Sequence, residues 1–134
     1  MSLQYLLDTN ICITVLRDRP SGLRERFSIN ADGLCISTIV LSELLHGALK
    51  SARPEHHRRE VERFAARMET LSFDADAAAH AADIRVDLER RGQIIGGFDR
   101  LIAGQARSRG LIVVAANIGE FARVDGLRCE NWLG

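Results

Sequence analysis

Lys50 is the only lysine among 18 basic residues, and the rest are arginines. Neither G-x-x-x-x-G-K-[ST] nor G-x-G-x-x-G occurs, which argues against a nucleotide-binding enzyme built on a phosphate-cradling glycine loop. The three cysteines, Cys12, Cys35 and Cys129, are an odd number with no C-x-x-C pair, so neither a disulfide framework nor a cysteine zinc site is expected. Cys12 and Cys35 lie among Ile and Leu, where a reduced thiol acts as a small hydrophobe. No apolar run approaches the roughly 20 residues needed to span a bilayer. The first apolar run is short, has no basic leader and passes straight into Asp8, so no secretory signal and a cytoplasmic location are expected. Eighteen basic residues balance 18 acidic ones, and this neutrality removes the polyanion-binding signature of a basic domain. The arginine preference has two readings, a bidentate match to phosphate or the codon bias of a GC-rich genome. Repeats and low-complexity linkers are also missing.

What remains is 134 residues, 46% apolar and 27% charged, the make-up of one globular domain over residues 1–134. Leu3 to Leu7 reads as a buried strand closed by Asp8-Thr9-Asn10. A helix follows over 10–17, with Asp8 or Thr9 as its cap, and Pro20 and Gly22 break the chain before a short helix over 23–29. Asp32-Gly33 turns into a second strand, Leu34-Cys35-Ile36, and Ser37 or Thr38 caps a helix to about Lys50. Gly47 inside that helix predicts close approach of another backbone, since glycine there costs roughly 1 kcal/mol against alanine. An amphipathic helix over 55–68 carries an Arg59, Arg63, Arg67 stripe, either a solvated face partly neutralised by Glu55 and Glu62 or a phosphate-contacting surface. Adjacent His56 and His57 are expected to point apart and not to pair on a metal. Leu71-Ser72-Phe73 reads as a third strand, followed by a helix over 74–91 in which His80 packs among alanines. Gly96-Gly97-Phe98-Asp99 opens another helix, stopped by Gly110, with Asp99, Ile102, Ala103 and Ala106 on its inner face. Leu111 to Val114 is an unalternating strand, as in a parallel sheet covered on both faces, then a helical turn over 119–123 and an edge strand over 127–132 complete the chain.

This alternation predicts an α/β fold, a parallel sheet flanked by helices in a Rossmann-like three-layer sandwich. Asp8, Asp99 and Asn117 then share the carboxyl rim of the sheet, where ligands bind in such folds, and Glu43 can reach it from its helix. Individually the residues have plainer readings: Asp8 as a helix cap, Glu43 as a surface glutamate, Asp99 as a charge at a helix N-terminus. Together the three carboxylates would repel one another, and a hard divalent cation removes that conflict. The acid-and-amide set suits Mg²⁺, with Asp8 and Asp99 as principal ligands, Glu43 as a ligand through water or a water-orienting group, and Asn117 as neutral support. The chemistry implied is metal-assisted hydrolysis of a nucleic-acid backbone. A phosphoacceptor domain fits less well, because it needs a lysine beside the acidic rim and Lys50 lies at the far end of the Glu43 helix.

The segments L-L-D-T-N-I-C-I, I-S-T-I-V-L-S-E-L-L-H-G, I-G-G-F-D-R-L-I-A-G-Q-A-R-S-R-G and N-I-G-E-F-A-R-V-D-G-L-R-C-E-N-W occur in that order across nearly the whole chain. In these the chain resembles the PIN domain, most of all the VapC-type toxins of bacterial toxin–antitoxin pairs. The resemblance implies that Asp8, Glu43 and Asp99 are the acidic active-site positions and that Asn117 fills the fourth. It further implies an Mg²⁺- or Mn²⁺-dependent endoribonuclease that blocks translation, a homodimer, and a cognate antitoxin whose tail covers the site. Two departures stand out: the family usually has Thr at the position of Ala115 and a polar residue at that of Ala116. Loss of an orienting hydroxyl can cost about 10- to 100-fold in metal affinity or activity. The alternative is therefore a PIN-like module that binds RNA or an antitoxin but cleaves poorly.

Overall fold

Leu6 and Leu7 are fully shielded from solvent in β1 (Tyr5–Leu7), the middle strand of an all-parallel sheet. The computed structural model describes residues 2–17 and 21–133. The other strands are β2 (Leu34–Ser37), β3 (Glu69–Leu71), β4 (Ile112–Ala115) and β5 (Arg128–Asn131), in the order β3-β2-β1-β4-β5. Among the described residues six α-helices flank them: α1 (Thr9–Leu16), α2 (Ser21–Ile29), α3 (Thr38–Leu49), α4 (Pro54–Ala65), α5 (Ala75–Arg90) and α6 (Gly97–Arg109). Tyr5 is level with Leu34 of β2 and Ile112 of β4, and Leu7 pairs with Val114, so the carboxyl ends of β1 and β4 finish side by side. The direction of winding reverses at β1, which puts the rim above β1 and β4 at the sheet's switch point.

Strand and helix starts follow from local chemistry. β2 is buried at every residue, and the Ser37 hydroxyl then accepts the Ile39 N–H at 3.0 Å to start α3. The Asp74 carboxylate does the same for α5, taking the Ala77 N–H at 2.9 Å. Pro54 occupies the first turn of α4, where its missing N–H costs nothing. Gly110 ends α6 with φ +66°, a left-handed conformation that favours glycine. The expected elements are all present, with shifts. β3 falls at 69–71, two residues before its expected place, and the Phe73 N–H instead donates to Thr38 Oγ1. Gly22 lies inside α2 and breaks nothing, while the Pro20 break lies outside the described residues.

Two glycines reverse their expected roles. An added Cβ at Gly47 would meet no described atom within 4 Å, so no described backbone from another element approaches it. At Gly104 in α6 a Cβ would sit 2.7 Å from the Ala81 N and 2.8 Å from its Cα, because α5 and α6 pack backbone to backbone there. That contact sets the position of α6, and with it Asp99. Next to it, the buried Gln105 donates Nε2 to the Leu71 and Ser72 carbonyls, tying α6 to the end of β3. Gly104→Ala is expected to lower stability by about 1–3 kcal/mol through overpacking. Gly47→Ala should raise it by up to about 1 kcal/mol through helix propensity. Urea unfolding midpoints of the two variants check this opposed pair.

Candidate active site

Asp8 is the residue immediately after β1 and the N-cap of α1, yet its side chain makes no capping hydrogen bond among the described residues. Only 7% of its surface is exposed. Burial is the main reason its carboxyl rises from 3.8 to about 6; the Thr9 backbone N–H opposes the rise, and the charges of Glu43 and Glu120 add to it. The plain-cap reading therefore does not account for Asp8. Beneath it, Cys12 is fully buried, and burial followed by the Asp8 charge pushes its thiol well above the ordinary range, which makes it inert packing.

Glu43 projects from the middle of α3 and is held from the first strand's side: Thr9 Oγ1 donates to its Oε1 at 2.8 Å. Asp99 stands in the first turn of α6, whose Ile102, Ala103 and Ala106 are fully buried as the spacing predicts. Its carboxyl rises from 3.8 to about 7, through burial first, then a hydrogen bond with Glu120, then the charges of Asp8, Glu120 and Glu43. Glu120 moves the other way: the Gly96 N–H, donating to its Oε1 at 2.8 Å, and the Asp99 hydrogen bond hold it below the usual range. Asp99 is thus the weaker acid of this hydrogen-bonded pair and Glu120 the stronger.

The structure brings Asp8, Glu43 and Asp99 into mutual electrostatic contact and adds Glu120, which the sequence reading missed. Asn117 lies on the same rim but is exposed, and its Oδ1 accepts the Gly119 N–H at 2.9 Å. It shapes the turn that leads to Glu120. An acidic residue just beyond the β4 rim, beside a Phe121 that is 1% exposed, was the available signal. Ala115 is the last residue of β4, fully buried and paired with Asn131. The arginine stripe is solvent-facing, and although Glu55 and Glu62 both pair directly with Arg58, Arg59 still acts on Glu55 through its charge. His80 is not simple packing; its Nδ1 accepts the Arg107 Nε–H at 2.9 Å.

The rim's carboxylates are of the chemical type a hard divalent cation takes, and their oxygens, which do not all lie within 4.8 Å of one another, would draw together on it. All four side chains offer carboxylate oxygen, and burial first, then mutual charge, raises Asp8 and Asp99, a cost that a bound cation would offset. The set can hold a cation, accept protons near neutral pH, and present a hydrated electrophile to an anionic substrate.

A parallel sheet of this order with clustered acids on its carboxyl rim is the arrangement of a PIN domain. The PIN domain pattern matches residues 5–127, and the chain belongs to the PIN-domain family. More narrowly, it is similar to the tRNA(fMet)-specific endonuclease VapC of Shigella flexneri, 49% identical over 97% of this chain and 98% of that protein. Ribonuclease VapC2 of Haemophilus influenzae is 44% identical over 98% of this chain and 99% of its own length. Among solved structures, DNA-bound VapBC from Salmonella typhimurium matches with a TM-score of 0.94 at 47% identity, over 97% of this chain and 98% of that one. VapBC2 from Rickettsia felis, bound to a DNA fragment from the promoter, matches with a TM-score of 0.92 at 35% identity, over 98% and 99%.

The carboxyl shifts carry a sign that can be measured. Asp8 and Asp99 bind protons more tightly folded than unfolded, so their contribution to stability is complete below about pH 4 and is lost as pH rises through about 6 and about 7. In chelator, the melting temperature of Asp8→Asn/Asp99→Asn should exceed that of wild type at pH 8, with the gap closing toward pH 5. Mg²⁺ should close it from the other side by stabilising only the wild type.

Proposed function

We propose that this chain is the ribonuclease toxin of a VapBC-type toxin–antitoxin pair, an endoribonuclease that hydrolyses RNA phosphodiester bonds and thereby inhibits translation. The observation that carries the reading is the convergence of Asp8, Glu43, Asp99 and Glu120 on one rim, with two of the carboxyls held at about 6 and about 7 by burial and mutual charge. Mg²⁺, or Mn²⁺ in its place, would be held by Asp8 and Asp99 with Glu43 directly or through water, and would supply the positive charge that polarises the phosphodiester.

The chain's own groups do the rest. Thr9 fixes Glu43 so that its free oxygen can orient the attacking water. Asp99 and Glu120 share a hydrogen bond in which Asp99 is the weaker acid, and a divalent cation bound there would favour the ionised form of Asp99. Asn117 stands as a neutral supporting group that holds the Glu120 turn. The substrate proposed first is initiator tRNA, on the strength of the relative that is 49% identical. An antitoxin partner is proposed from the VapBC complexes the fold matches. A second copy of the chain is proposed against α3, whose Leu41, Leu45 and Leu49 line an open depression of about 490 Å³. The binding-only reading is not favoured, since the similar proteins are named for endonuclease and ribonuclease activity.

The test is cleavage of end-labelled initiator tRNA and total RNA with Mg²⁺, with Mn²⁺ and with chelator. Discrete, metal-dependent fragments are expected, with Asp8→Asn and Asp99→Asn each slowing cleavage by at least ~10²-fold, the loss of about 2.7 kcal/mol of transition-state stabilisation. Thr9→Val should reduce the rate less, through a loosened Glu43. Fragments that persist in chelator or in both aspartate variants would sink the assignment. Discrete fragments from other RNAs with initiator tRNA intact would overturn only the substrate.

A further inference from the structure

A groove of about 550 Å³ runs beside the acidic rim, and Glu43 forms part of its wall. The opposite wall is the first half of α4, where His56, His57 and Glu60 face it. The expectation that these adjacent histidines diverge is not met. Nδ1 of His57 lies 2.8 Å from Glu60 Oε1, and Nε2 of His56 lies 3.5 Å from the same oxygen. Their rings meet edge to face with centroids 5.1 Å apart. Among the described residues, this is the group of three or more possible ligands whose donor atoms all lie within 4.8 Å of one another.

From this convergence we propose that His56, His57 and Glu60 bind a divalent transition-metal ion, of which Zn²⁺ is the probe, at a site separate from the acidic rim. Helix geometry makes the set: residues three and four apart share a face, so Glu60 lies under both rings, and side-chain torsions bring the neighbouring imidazoles together over it. Both imidazoles approach one carboxylate oxygen. The three donor atoms lie within 4.8 Å of one another, close enough for one ion to take all three.

The distances suit this with a small adjustment. Ligands about 2.0–2.1 Å from a tetrahedral zinc stand about 3.3 Å apart. The His56–Glu60 separation of 3.5 Å is already near that, and the 2.8 Å hydrogen bond of His57 opens by about half an ångström when the ion replaces its proton. The three side chains are 39–46% exposed and can make that move. Two imidazoles and one carboxylate leave an open coordination position, and the groove has room for the water that fills it. Imidazole nitrogen also separates the two sites chemically: it selects Zn²⁺, Ni²⁺ or Cu²⁺, while the all-oxygen rim suits Mg²⁺ or Mn²⁺. The proposal does not depend on the nuclease reading.

Chelator-stripped full-length protein is titrated calorimetrically with ZnCl₂ in excess Mg²⁺. The expected result is one saturable Zn²⁺ per chain, weakened at least tenfold in each of His56→Gln, His57→Gln and Glu60→Gln and retained in Asp8→Asn/Asp99→Asn. Co²⁺ should give the visible absorption of a low-coordinate nitrogen and oxygen site, lost in the same three variants. Circular dichroism confirms that the surface variants fold. No saturable Zn²⁺, or Zn²⁺ binding that survives the α4 substitutions or disappears with the aspartate pair, overturns the proposal.

Discussion

A desolvated carboxylate at the end of the central strand imposes a cost on its surroundings, and in this molecule three other parts of the chain bring further carboxylates up to it. Asp8 is 7% exposed, directly beyond a strand whose last two residues are fully buried, so its charge is poorly hydrated. The neighbours it meets are Glu43 and Glu120, which raise the cost of its charge. A fold built only for stability would place an apolar residue there or pair the acid with a cation. Among the described residues neither is seen, and a bound cation would meet that cost.

The acids are carried on rigid elements. α3 starts at a fixed point because Ser37 caps it, and Thr9 reaches across to hold Glu43. α6 is seated by the contact of Gly104 with the Ala81 backbone and by the two hydrogen bonds from Gln105 to the end of β3. The left-handed Gly110 then turns the chain into β4, whose carboxyl end carries the Asn117 turn and Glu120 back to Asp99. The backbone beneath each acid is thus positioned by packing remote from it.

Much of this was legible in order and spacing. The runs Leu3 to Leu7 and Leu111 to Val114 predict buried parallel strands, and the acids beyond them fall on one rim because parallel strands end together. The three principal carboxylates lie close enough for the Glu43 charge to help raise both Asp8 and Asp99. What escaped depends on contacts between distant residues. Gly47 and Gly104 are alike as helix glycines, and only the partner across the gap distinguishes them. His80 looks apolar among alanines until Arg107, 27 residues on, donates to it. Glu69-Thr70 at the sheet edge lacks the apolar signature of a strand, which displaced β3 toward Phe73. Glu120 carried no periodic signal, and its role comes from the Gly96 N–H and Asp99 that the folded chain brings to it. His56 and His57 diverge at the level of the backbone and converge only through their side chains.

Glu43 belongs to two walls at once, that of the acidic rim and that of the groove bordered by α4. Thermodynamic linkage gives this a reciprocal meaning. Whatever settles in the groove and touches Glu43 differently with and without a cation on the rim changes that cation's affinity, and the cation changes the groove occupant's affinity by the same factor. One side chain, tethered by one hydroxyl, is enough to let the two compartments sense each other without any movement of the sheet.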